Sequence, residues 1–155
     1  MRYLLILMMA WLPLLCSAVD FDDATRSVPL GRAMQVFEDA GGGATIEEVS
    51  GNGPLAKRFR PQTADTLNAG YSTSVFWLKV DLHYVPADAA SPRRSWLLEL
   101  AYPPMDHIEL YEAGPDAVFH LTQKTGDALP YSTRQIKQNN YVFDLPFQAG
   151  EYKTV

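Results

Sequence analysis

Cysteine is almost missing from this chain: its 155 residues include one, Cys16. A single thiol excludes an internal disulfide framework and any cysteine-rich zinc site. Clusters of basic residues are missing too. Thirteen Lys and Arg stand against eighteen Asp and Glu, a formal net charge of −5. Phosphate backbones are held by concentrated Lys and Arg, so nucleic acid is excluded as a partner. No apolar run reaches the ~20 residues that a membrane-spanning helix needs. A Gly-rich phosphate loop, a dinucleotide fingerprint and a G-x-S-x-G nucleophile elbow are all absent. What remains is a globular composition, 47% hydrophobic and 20% charged, at a length that suits one domain.

The N-terminus has its own character. Met1-Arg2 gives a short positive start, Tyr3 to Leu15 is apolar apart from Pro13, and Cys16-Ser17-Ala18 supplies small residues before Asp20. The run is too short to cross roughly 30 Å of hydrocarbon, so residues 1–18 read as a cleaved secretory signal. The competing readings are a buried N-terminal helix and a lipid anchor on Cys16, although Leu15 stands where a lipobox prefers a small residue. Cleavage removes the only thiol and Arg2, leaving twelve basic residues against eighteen acidic ones. The mature chain is then acidic, thiol-free and outside the membrane.

From Asp20 to Pro61 the sequence is rich in turns, with breaks at Gly41-Gly42-Gly43 and Gly51-Asn52-Gly53-Pro54. Met34 to Phe37 reads as a short strand and Thr45 to Val49 as a helical turn. Arg58, Phe59 and Arg60 precede Pro61, which disfavours a long helix there. The clearest pattern follows Gly70. In Ser74 to His83, Phe76, Leu78, Val80 and Leu82 alternate with Trp77, Lys79, Asp81 and His83, the mark of a strand with one buried face. Trp96 to Tyr102, His107 to Tyr111, Ala117 to Gln123 and Tyr141 to Phe147 read as further strands, punctuated by Pro and Gly. Short strands separated by turns, with no 3.6-residue period, define an all-β sandwich. Gly150 to Val155 looks like the opening of another strand, which marks the chain as an expected fragment of something longer.

Candidate chemistry is thin. His83, His107 and His120 fall on different strands, without a partner at zinc-ligand spacing. A carboxylate pair for glycoside hydrolysis would draw on Asp81, Glu99 or Glu109, yet carboxylates on a solvated strand face are ordinary. Calcium could use Asp20, Asp22 and Asp23, Asp81 or Asp127, but none has the spacing of an EF-hand. The polar face of the strands carries more. Trp77 lies beside Lys79 and Asp81, with Glu99 and Glu109 on other strands, and an exposed tryptophan among hydrogen-bonding groups can hold a sugar by its C–H face. The simpler reading puts Trp77 beneath a loop or a second packing layer.

Several of these residues also form ordered motifs. Gly70 to Val80 resembles a G-x-S-x-S-x-[FY]-W-L-[KR] segment. Trp96 to Leu100, Tyr102-Pro103 and Asp106 to Tyr111 are similar to W-x-L-E-x-x-Y-P-x-x-D-x-[IV]-x-L-Y. Gly126-Asp127, Pro130-Tyr131 and Arg134 resemble a G-D-x-x-P-[FY]-x-x-R turn. Together with Phe59 and Pro61, and with Phe143 to Leu145 and Gly150, they resemble the type 2 extracellular domain of 7TMR-DISM proteins, bacterial seven-transmembrane receptors with diverse intracellular signalling modules. The sequence departs from that family at His83-Tyr84, where asparagine is more usual.

The resemblance implies a jelly-roll β-sandwich similar to carbohydrate-binding modules: a periplasmic sensory domain over 30–155, preceded by an extension over 19–29. It implies a receptor in the inner membrane, with seven membrane helices and an output such as a diguanylate cyclase or histidine kinase beyond this chain. No catalysis is expected of the domain itself. The expected partner is a small molecule, carbohydrate-like first, with calcium as a further candidate, no other cofactor, and a second copy of the domain as a homodimer. The candidate ligand-binding residues are Trp77, Lys79, Asp81, Glu99 and Glu109. The alternative is a free-standing secreted carbohydrate-binding protein.

Overall fold

The computed structural model describes residues 18–88 and 94–155. The signal segment, Ala18 apart, and Cys16 lie outside the described residues.

The chain is all-β, as its alternation implies. Ten strands occur among the described residues: β1 (Val19–Phe21), β2 (Gln35–Asp39), β3 (Arg60–Pro61), β4 (Val75–Lys79), β5 (Asp81–Tyr84), β6 (Arg94–Leu100), β7 (Ile108–Ala113), β8 (Phe119–Thr125), β9 (Tyr141–Phe147) and β10 (Tyr152–Thr154). One short helix, α1 (Ile46–Val49), follows the predicted turn. Its start is fixed by Glu48, whose Oε2 accepts the Thr45 N–H at 2.9 Å, the returning half of a capping box. The strands pair in the orders β1-β5-β10, β3-β2-β4, β6-β9 and β7-β8.

The principal core is aromatic. In β9, Tyr141, Phe143, Leu145 and Phe147 are buried as their alternation predicts, and Val142 is buried with them. Tyr141, Phe143, Leu145 and Phe147 pack with Val80, with Leu82 and Tyr84 of β5 and with Leu110 of β7. Each such side chain taken fully from water is worth roughly 1.5–3 kcal/mol. The Tyr141 hydroxyl is satisfied by the carbonyls of Pro103 at 2.9 Å and Met105 at 3.2 Å. β6 follows its pattern too: Trp96, Leu98 and Leu100 turn inward, while Leu97 is exposed.

The segment expected as an extension supplies β1, which runs parallel to β5. Phe21 enters the core, its ring edge-on to Trp96 at 4.8 Å and to Phe147 at 5.1 Å. The Tyr84 hydroxyl donates to Asp23 at 2.6 Å, fastening the same segment from the other side.

The run from Ser74 to His83 departs from its simplest reading. It is two strands, because the chain changes partner at Val80. Residues 75–79 pair with β2, whereas Val80 exchanges backbone hydrogen bonds with Val155 and β5 lies between β1 and β10. The buried face changes with the partner. Val80, Leu82 and Tyr84 enter the principal core. In β4, however, Trp77 from the opposite face packs against a smaller cluster of Phe37, Val49 and Phe59, and Leu78 is left exposed.

Candidate functional site

The five expected ligand residues divide among several sheets. Trp77 is half-buried beneath a second packing layer, paired with Phe37 across β2 and β4 and tilted against the Tyr111 ring at 5.9 Å. Its Nε1 is buried without a hydrogen-bond partner. Lys79 places its ammonium 5.0 Å from the centre of the Phe59 ring, a cation–π contact at the edge of the same cluster. Asp81 accepts from the Thr154 hydroxyl at 2.5 Å in the first sheet. Glu99 accepts from the Asn140 amide at 2.6 Å, between β6 and the approach to β9. Lys79 thus shares the Trp77 cluster through Phe59, and Glu109 reaches Trp77 through Tyr111, whereas Asp81 and Glu99 lie elsewhere.

Beside Tyr111 the β7-β8 register slips by one residue, leaving Thr122 of β8 without a partner in the ladder. The Thr122 hydroxyl donates instead to the Leu110 carbonyl at 3.3 Å. Tyr111 donates its hydroxyl to Glu109 Oε2 at 2.5 Å, and Lys124 reaches Glu109 Oε1 at 2.6 Å. Lys124 and then Tyr111 hold the Glu109 carboxyl below its usual range. Burial pushes the Tyr111 phenol up to about 12, helped by the hydrogen bond and charge of Glu109 and by the charge of Glu47 on α1. A phenol held protonated beside an ionised carboxylate is a fixed donor–acceptor pair. It is not a nucleophile with its base, since the proton is held more tightly than usual.

A second polar row lies on the first sheet. His83 is adjacent to Asp20 on one side and Tyr152 on the other. Its Nδ1 is 2.8 Å from Asp20 Oδ1, and its ring stacks on Tyr152 at 3.7 Å. Among the described residues, no three His, Cys, Asp or Glu converge as a metal centre.

A concave polar region lies along the β3-β2-β4 sheet, mainly on the face of Val36, Glu38 and Phe76. A groove of about 540 Å³ is lined by Val36, Glu38, Arg58, Arg60, Leu67 and Phe76, among others. Its outer wall is the loop after β3. That loop is held by the Gln62 N–H on the Met34 carbonyl at 2.9 Å and by Arg32 on Asp65 at 2.6 Å. Gly31 permits the approach: a Cβ there would stand 1.8 Å from the Asp65 carbonyl oxygen. The sequence showed Arg58-x-Arg60 only as residues before a proline. Lys124 and Glu38 carried no signal either, and Tyr111 stood out only as the end of a family motif, because a strand sequence does not reveal its register.

The motif residues that carry the resemblance turn out to be fasteners. Gly126 is buried, and a Cβ on it would stand 2.0 Å from the Asp106 carbonyl oxygen. Arg134 donates to the carbonyls of Gln138 and Asn139 at 2.6 Å each and lies over the rings of Tyr131 and Tyr141.

The described residues thus form an all-β domain whose polar side chains are spread over several small sheets. The model of the family 7TMR-DISM extracellular 2 matches residues 31–155, and the chain belongs to that family. Domains of this family are the outside-facing, sensor-type domains of membrane receptors. No curated protein and no solved structure matches the chain. No helix among the described residues is long and apolar enough to cross a membrane.

Proposed function

We propose that this domain senses a small, carbohydrate-like molecule in the periplasm. Its occupancy then controls a cytoplasmic output, such as a diguanylate cyclase or histidine kinase, through membrane helices beyond this chain. The observation that carries the reading is the family match over residues 31–155. A groove of about 540 Å³, within the roughly 300–1,000 Å³ of small-molecule sites, supports it. The ligand acts by binding one arrangement of the domain, or of a homodimer, more tightly than another. Jelly-roll connectivity belongs to the same reading.

A thermal-shift screen of the purified protein with neutral sugars, sugar acids, amino acids and Ca²⁺ tests it. A ligand at a hundred times its dissociation constant stabilises by about 2.7 kcal/mol, a shift of several degrees. No shift with any member of the panel overturns the reading. Sequencing the gene beyond Val155 separates a receptor, with seven apolar segments to follow, from a free-standing secreted module.

A further inference from the structure

We infer that the groove on the β3-β2-β4 sheet is the ligand site and that it takes a hydroxylated small carboxylate of the sugar-acid class. The inference rests on the sensory reading above and adds the site and the charge of the ligand. Two arginines line the groove, and neither has a carboxylate partner among the described residues, in a chain of net charge −5. Arg60 is held in place by its Nη1, which donates to the carbonyls of Lys57 at 2.8 Å and Phe59 at 2.9 Å. A guanidinium has five N–H donors, so the rest of the fork stays available for an anion. Arg58 is steadied over the Phe37 ring at 5.2 Å. A planar guanidinium suits a carboxylate geometrically.

Glu38 narrows the class. Its Oε1 accepts from the Ser74 hydroxyl at 2.7 Å, and its carboxylate lines the groove opposite in sign to the arginines. Two Arg and one Glu give the groove a formal charge of +1, matched to a monoanion rather than a dianionic phosphate. The Glu38 carboxylate also accepts hydroxyl protons, and Gln62 and Asn68 add donors and acceptors on the rim. Half-buried Val36, Leu67 and Phe76 offer an apolar surface for the C–H face of a ring. Carboxylate, hydroxyls and an apolar ring face together describe a uronic acid.

The test titrates the protein with D-galacturonate, D-galactose and benzoate, followed by backbone amide shifts in a heteronuclear NMR spectrum. Galacturonate is expected to shift residues around Arg58, Arg60 and Phe76 and to bind at least roughly tenfold tighter than galactose. Arg60→Gln and Arg58→Gln should each weaken it by roughly tenfold. Arg58 makes none of the backbone bonds that Arg60 makes, so Arg58→Gln separates ligand contact from loss of the local fold. Galacturonate binding no tighter than galactose, or both variants keeping full affinity, overturns the inference. Benzoate matching galacturonate overturns the sugar-acid class. Galactose binding away from the groove overturns the site while the sensory reading stands, and silence in every arm counts against both.

Discussion

The alkaline limb of the stability curve should report on Tyr111. Its phenol has a folded-state pKa raised from 10.0 to about 12, while in the unfolded chain it titrates near 10. The sign follows from proton binding. Between those values the folded state holds a proton that the unfolded chain has released, so stability is complete below about pH 10 and declines as pH rises toward 12. A two-unit shift corresponds to about 2.7 kcal/mol in full and about 1.4 kcal/mol by pH 11. Tyr111 is half-buried, and solvent screening lowers the expectation to about half of that.

Tyr111→Phe keeps the ring against Trp77 and removes the hydroxyl. Lysines and the other tyrosines titrate in both proteins and cancel in the comparison. The assay is urea unfolding of wild type and variant at intervals from pH 8 to 11.5. Below pH 9 wild type should be the more stable by about 1 kcal/mol, the worth of a hydrogen bond to a charged acceptor at a half-exposed site. That advantage should shrink as pH rises beyond 10. A difference that stays constant to pH 11.5 would refute the coupling of Tyr111 to Glu109 and Glu47.

Two further outcomes test the framework around the groove and the core. Phe21→Ala should destabilise by about 3–5 kcal/mol in urea melts, as removal of a buried aromatic ring does; a loss below about 1 kcal/mol would place residues 19–21 outside the core. Gly31→Ala should lower stability by more than about 1 kcal/mol and speed amide exchange across residues 62–69, because the Asp65 backbone must retreat from the new Cβ; unchanged exchange in that loop would refute the close approach.

How much of this was legible in the sequence depends on what fixed each element. The alternation of Tyr141, Phe143, Leu145 and Phe147 declares β9 because one face is buried along its whole length. The same rule misleads at Ser74 to His83. Alternation records two faces but not the change of partner at Val80, which buries Trp77 in one half and Leu82 in the other. β1 is three residues long and its pairing is entirely long-range, so Val19–Phe21 carries no local signal. The groove depends on a loop brought against Gly31 from more than thirty residues away. Arg58 and Arg60 therefore looked like punctuation before a proline. Family motifs such as Gly126 and Arg134 were visible because turns and fasteners constrain local sequence, whereas ligand contacts do not.

The central claim is that this domain binds a small molecule and leaves it unchanged. A single NMR titration with D-galacturonate reads both halves at once. Saturable amide shifts around the groove are expected, while the ligand's own resonances keep their positions and areas after it is released. Amide shifts that never saturate, or new ligand resonances that grow with time, would contradict it.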